Sequence, residues 1–187
     1  MNQPDLRSAH AAFLSFLIRF AAMLAAACAV FLLFSRLPDA GRYVITPPSF
    51  SGRTPDVLRE AIVSQFPALI ELTLLFLSAF TVGCRPISLL LCIWRGCSLG
   101  CFIALFCGGR LIGFSPFCIP GLTAYFLASA AFAALSAYSV HTASLLVNVC
   151  ADGRVRRALS LGGAYLYRFL SLSGVVLLCG LLACALI

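Results

Sequence analysis

Five long apolar runs divide this chain, and they limit its fold more than any other feature. A bilayer core about 30 Å thick takes about 20 apolar residues per helix. Runs over residues 11–34, 61–83, 87–107, 121–147 and 169–187 meet that length. Lipid offers no hydrogen-bond partners, so a backbone that crosses it must satisfy its own N–H and C=O groups. Runs of this length do so as helices. The expected fold is all-α: one transmembrane domain over residues 1–187, a polytopic membrane helix bundle of about five transmembrane helices. Residues 111–120 are apolar but carry Gly113, Pro116 and Pro120. They are too short and too broken to cross, and read as an interfacial or re-entrant segment.

Composition excludes the alternatives. The chain is 62% hydrophobic and 10% charged, where soluble domains carry about 25% charged residues. A soluble domain of this length could not hide that much apolar surface. The first run resembles a signal peptide but is too long for one and is followed by further runs, so it reads as a retained first span. Arg19 interrupts it and is expected to snorkel back to the headgroups.

The net charge of +7 comes entirely from arginine on the basic side. These arginines are dispersed between spans, without the basic stripe of a nucleic-acid-binding protein. They follow the positive-inside pattern instead. Arg7, Arg85, Arg154, Arg156 and Arg157 group on one side, with Arg168. Arg36, Arg42, Arg53, Arg59 and Arg110 group on the other, four of them in the acid-containing loop 35–60. The cluster at 154–157 places the N-terminus inside, the C-terminus outside and loop 35–60 outside. Within that loop, Thr54 and Pro55 form a helix-start signal. Residues 150–158 read as a polar inner loop, and Tyr165 and Tyr167 as part of an interfacial aromatic belt.

The ten cysteines lie mostly inside apolar runs, where a free thiol acts as a small hydrophobe. Cys97 and Cys101 have helical i, i+4 spacing, but no His or acid joins them at ligand spacing, so no metal site is expected. A disulfide between Cys107 and Cys118 stays open. The stretch Gly96-Cys97-Ser98-Leu99-Gly100 matches the G-x-S-x-G nucleophile pattern, yet it lies within a helix rather than at a strand-to-helix turn. His141 has no Asp near it in sequence. No catalytic residue, cofactor or metal is therefore expected.

The charged residues inside spans are more informative. An isolated ion in hydrocarbon costs several kcal/mol. Folding the second and third spans into a hairpin brings Arg95 within about one helical turn of Glu71, close enough for its guanidinium to clasp the carboxylate. This pair is either a structural register or a polar functional site. Gly96 and Gly100 also form a small-xxx-small motif, and Ala130 and Ala134 lie on a small-residue face of the fourth span. Such faces pack helices closely, within the chain or onto a partner.

The run from Phe80 to Leu91, Phe-Thr-Val-Gly-Cys-Arg-Pro-Ile-Ser-Leu-Leu-Leu, followed by Trp94-Arg95-Gly96-Cys97-Ser98-Leu99-Gly100, resembles the stage II sporulation protein M family. In that family a span ends in Gly, a Pro-containing turn follows, and the next span carries a basic residue followed by Gly and a second Gly four residues on. Gly83, Pro86, Arg95, Gly96 and Gly100 occupy these positions, and Gly113 and Pro120 correspond to the following loop. The resemblance covers about residues 60–140. It implies a non-enzymatic scaffold in the mother cell membrane of a sporulating bacterium. Such a scaffold anchors two peptidoglycan-remodelling partners, the stage II sporulation proteins D and P, during septal thinning and engulfment. The expected partners are these two proteins and the lipid bilayer, not nucleic acid, and the small-residue faces leave room for a homo-oligomer. The alternative expectation is the membrane subunit of a permease or transporter, prompted by the polar residues inside spans.

Overall fold

A computed structural model describes residues 3–36, 63, 65–81, 83–107, 118–153 and 155–185. Five helices account for nearly all of them: α1 (Gln3–Arg36), α2 (Phe66–Ser78), α3 (Cys84–Cys107), α4 (Cys118–Ala151) and α5 (Val155–Ala185). Among the described residues there is no strand. The protein is an all-α membrane helix bundle. Four helices, α1, α3, α4 and α5, are long and apolar enough to cross a bilayer. The fifth, α2, is apolar but has 13 residues, about 20 Å of helix against a core of about 30 Å. It ends at Ser78, five residues before the expected end of the second span.

The reason α2 ends there is local. Pro67 stands in its first turn, where a missing N–H costs nothing. At the other end the backbone tightens: the Ala79, Phe80 and Thr81 amides donate to the Phe76, Leu77 and Ser78 carbonyls at 3.2, 3.2 and 2.9 Å. The Ser78 and Thr81 hydroxyls donate to the Leu75 and Ser78 carbonyls, both at 2.8 Å. Four carbonyls at the helix end, those of Leu75, Phe76, Leu77 and Ser78, are thus partnered with no further turn. The connection consequently lies at residues 79–83, not at Cys84-Arg85-Pro86. Those three residues are the first turn of α3, where Pro86 fits for the reason Pro67 does.

Two other expectations change. Cys118, Ile119 and Pro120 belong to the first turn of α4 rather than to a re-entrant segment; residues 111–117 of that segment, Gly113 among them, lie outside the described residues. So do the loop 37–62 with its Thr54-Pro55 signal, and the side chains of Cys107 and Cys118. The polar loop expected over 150–158 shrinks to a turn. Helix α4 runs to Ala151, and the Asp152 amide still bonds back to the Asn148 carbonyl at 3.2 Å. Gly153 then takes φ +67°, its amide meets the Cys150 carbonyl at 3.1 Å, and α5 starts at Val155. Only glycine takes that left-handed φ without steric cost, and it is a common helix terminator.

Successive helices run in opposite directions, so α1, α3 and α5 point one way and α2 and α4 the other. Two contacts along each pair fix this: Arg19–Ser88 and Ala27–Gly100 for α1 beside α3, Ser78–Cys84 and Glu71–Arg95 for α2 against α3, Cys92–Ser136 and Phe102–Tyr125 for α3 against α4, and Ser139–Tyr165 with the Gly153 turn for α4 against α5. Helix α4 is central and touches all four others. Its small residues make this possible: Ala128, Ser129, Ala133, Ser136, Ala137, Ser139 and Ala143 are all buried, and small side chains let neighbouring backbones come close on several sides. The outer surface is apolar, with Leu69, Leu74, Leu90, Trp94, Leu170 and Leu178 exposed. In lipid such a surface is a solvated one.

Tyr165 overturns its sequence assignment. It is fully buried, while Tyr167 is 76% exposed. The Tyr165 ring lies between Phe76 and Phe80 of the α2 end, Tyr138 of α4 and Phe169 of α5, with centroids 5.7, 6.0, 5.8 and 5.5 Å away. Its hydroxyl hydrogen-bonds the Ser139 hydroxyl at 3.0 Å. A buried Tyr needs such a partner.

Candidate functional site: a polar thread and a cationic cleft

One face of α3 carries Ser88, Cys92, Arg95 and Leu99, and all four are buried. Their spacing of three and four residues puts them on one stripe of the helix. The opposite face, with Leu90 and Trp94, is about two-thirds exposed. The polar members of the stripe meet partners on three other helices and form a thread through the bundle.

At the deep end of the thread, Arg95 Nη1 donates to Glu71 Oε2 at 3.1 Å, and both side chains are buried. The guanidinium also lies over the rings of Tyr125 and Phe132, 5.2 and 5.9 Å from their centroids. Each ring face attracts a cation, more strongly when water is absent. The contact with Glu71 is not the two-pronged clasp expected from the residue types: Arg95 Nε is buried without a hydrogen-bond partner. The structure therefore brings Glu71 and Arg95 together across the α2–α3 hairpin and adds the two aromatic rings of α4.

Midway, Cys92 Sγ donates to Ser136 Oγ at 3.4 Å, and Ser136 Oγ donates to the Ser88 carbonyl at 3.4 Å. At the other end stands Arg19. It does not snorkel: it is 7% exposed and turned between α1 and α3. Its Nη2 and Nε donate to Ser88 Oγ at 3.2 and 3.4 Å, and Nη1 donates to the Ser15 carbonyl at 2.9 Å and to the Ser15 hydroxyl. The α1–α3 pairing causes this, because it places a hydroxyl beside the guanidinium where lipid would otherwise be.

Gly96 and Gly100 explain why α1 comes so close. A Cβ at Gly96 would stand 2.2 Å from the Met23 carbonyl oxygen, and one at Gly100 would stand 2.4 Å from that of Ala27. Both obstacles are backbone, which cannot swing away. This motif is filled by α1 of the same chain, so it is not a free face for a partner. Ala130 and Ala134 are half-buried, and the tight packing of α4 falls instead on its neighbours Ser129, Phe132, Ala133 and Ser136. Gly83 sits in the α2–α3 turn with only ordinary contact, 3.5 Å, between an added Cβ and Ile87. Pro86 and Pro120 are exposed.

Arg19 also lines a cleft of about 500 Å³ between residues 11–19 of α1, the first turns of α3 and the last third of α4. Its polar lining is Ser15, Arg19, Arg85, His141 and Ser144; Leu14, Ile18, Leu89 and Val140 supply apolar walls. Sequence reasoning missed this site. The available signal was that Arg19 and Arg85 stand at the same end of spans that run in parallel.

Ser98 of the G-x-S-x-G stretch is in mid-helix, and its hydroxyl donates to the Trp94 carbonyl at 3.2 Å. That is the ordinary back-bond of a helical serine, and it offers no nucleophile geometry. Cys97 and Cys101 are half-buried on α3. Among the described residues no group of three His, Cys, Asp or Glu side chains converges as metal ligands. Comparison of the chain with protein-family models, with curated proteins and with solved structures finds no match in any of the three.

Proposed function

We propose that this multi-pass membrane protein is a non-enzymatic scaffold, and that it anchors peptidoglycan-remodelling partners in the mother cell membrane during septal thinning and engulfment. The reading rests on the resemblance to the stage II sporulation protein M family. The observation that carries it is the use made of the motif residues. Arg95, Gly96 and Gly100 all join helices of this chain to one another. A scaffold needs a bundle of fixed shape, and an ion pair and a backbone-to-backbone helix contact supply one. Its partners, the stage II sporulation proteins D and P, then meet the outward surfaces of α2 and α5 or the loop 35–60. The test is deletion of the gene in its own bacterium, with microscopy of sporulating cells, and co-purification of the tagged chain with both partners. Arrested engulfment and recovery of the partners are expected. Normal engulfment with neither partner recovered would sink the reading.

A second reading, the membrane subunit of a permease, draws on the polar thread from Arg19 through Ser88 and Ser136 towards Arg95 and Glu71. Ionisable groups inside a bundle often mark an ion or substrate path. Flux into vesicles that is lost in Glu71→Gln while the bundle stays folded would favour it over the scaffold.

A further inference from the structure

We infer that the cleft between α1, α3 and α4 binds a phosphate group, carried on the headgroup of an anionic phospholipid. The argument starts from Arg19. Arg19 is more than nine-tenths buried, and its partners among the described residues are all neutral: the Ser15 carbonyl and hydroxyl and the Ser88 hydroxyl. Hydroxyls and carbonyls satisfy its N–H groups but not its charge. A buried ion without a counter-charge is strongly destabilising. Two acids have described side chains. Glu71 is bonded to Arg95, and Asp152 is exposed in the α4–α5 turn.

The surroundings add positive charge rather than neutralise it. Arg85 lines the same cleft and is exposed, and its carbonyl accepts from the same Ser88 hydroxyl that Arg19 bonds, at 3.0 Å. His141 brings an imidazole from α4, while the Ser144 hydroxyl donates to the His141 carbonyl at 2.7 Å. Two guanidinium groups, an imidazole and the Ser15 hydroxyl around one opening form a donor set for phosphate oxygens. Arginine is the residue best shaped for them.

The place of the cleft selects the source of the phosphate. It opens where the membrane-length apolar stretches of α1, from His10, and α3, from Cys84, begin, at the same end of the bundle as the α4–α5 turn with the exposed Arg156 and Arg157. That is the level of headgroups, and Leu14, Ile18 and Leu89 give the cleft walls on which an acyl chain can lie. Basic pockets between membrane helices at this level suit anionic headgroups. The inference stands apart from the scaffold reading: either could hold without the other.

The experiment uses the full chain, purified in a neutral detergent and stripped of lipid. Thermal unfolding is followed with added phosphatidylglycerol, with phosphatidylcholine and with inorganic phosphate, and retained lipid is counted by native mass spectrometry. Phosphatidylglycerol should raise the unfolding midpoint and stay bound as one adduct, and phosphatidylcholine should do neither. Arg85→Gln, an exposed change that leaves the helix contacts intact, should weaken the effect about tenfold, the value of one charge-assisted hydrogen bond. Arg156→Gln, a loss of the same charge elsewhere at that end, should leave it unchanged. Equal responses in Arg85→Gln and Arg156→Gln, or no response to phosphatidylglycerol, overturn the site. Stabilisation by inorganic phosphate alone, lost in Arg85→Gln, overturns the lipid assignment and leaves a small-anion site.

Discussion

Where α1 meets α3, contact is made by taking side chains away. Gly96 and Gly100 leave no atom between the α3 backbone and the carbonyls of Met23 and Ala27. Around Tyr165 contact is made by adding them: Phe76, Phe80, Tyr138 and Phe169 surround one ring that has no exposed surface. The two regions meet the same problem. Lipid tails are as apolar as leucine, so burial alone gives one helix no reason to prefer another helix over lipid. The remaining forces are dispersion at close range and polar pairing. The α1–α3 contact raises dispersion by bringing backbones together. The aromatic region raises it with large rigid rings, and each gains about 0.5–1.5 kcal/mol per well-placed ring pair. The two solutions fail differently. A backbone contact tolerates no added atom, whereas a ring cluster tolerates the loss of a polar tip.

The largest effect should come from the tie between the two regions, the Glu71–Arg95 pair. Glu71→Leu or Arg95→Leu alone leaves one charge buried and should cost about 3–5 kcal/mol, read from reversible unfolding in mixed detergent micelles. The double change to leucine should be clearly milder than either single change. If both single changes are silent, the pair does not join the regions.

Next comes Gly96→Ala. Its new Cβ would meet the Met23 carbonyl, and overpacking of this kind costs about 1–3 kcal/mol. Crosslinking between cysteines placed on α1 and α3 should fall in parallel. A neutral result would mean that α1 can stand further from α3 than described.

Tyr165→Phe should cost less, about 1 kcal/mol. It removes a hydrogen bond to Ser139 and leaves the rings in place, and Ser139 keeps its bond to the Leu135 carbonyl at 2.9 Å. A cost as large as that of Gly96→Ala would mean that the hydroxyl, not the ring, holds this corner.

The smallest effect should have the opposite sign. Gly163 of α5 is exposed, and an added Cβ would meet nothing within 4 Å. Gly163→Ala should therefore stabilise by about 0.5 kcal/mol through helix propensity alone. The same substitution then destabilises at Gly96 and stabilises at Gly163, which isolates close approach as the cause.

The all-α membrane class was legible from the lengths of the apolar runs, because lipid forces a backbone of that length into helix whatever its neighbours are. The Glu71–Arg95 contact was within reach for a related reason: a hairpin with a short connection fixes register by counting, and one buried charge requires another. Arg19 and Tyr165 were not within reach in the same way. A snorkelling arginine and an interfacial tyrosine are sound readings of single helices. Each was overturned by a helix distant in sequence: α3 brings Ser88 to Arg19, and the end of α2 brings Phe76 to Tyr165. Gly96 and Gly100 were legible as a close-packing motif, but that the neighbour is α1 of the same chain was not. Hydropathy determines that a segment leaves water and is blind to which apolar face it meets, since every such face resembles lipid. The choice of neighbour was decided by shape at van der Waals range and by the few polar groups that needed partners, and those exist only once the helices are together.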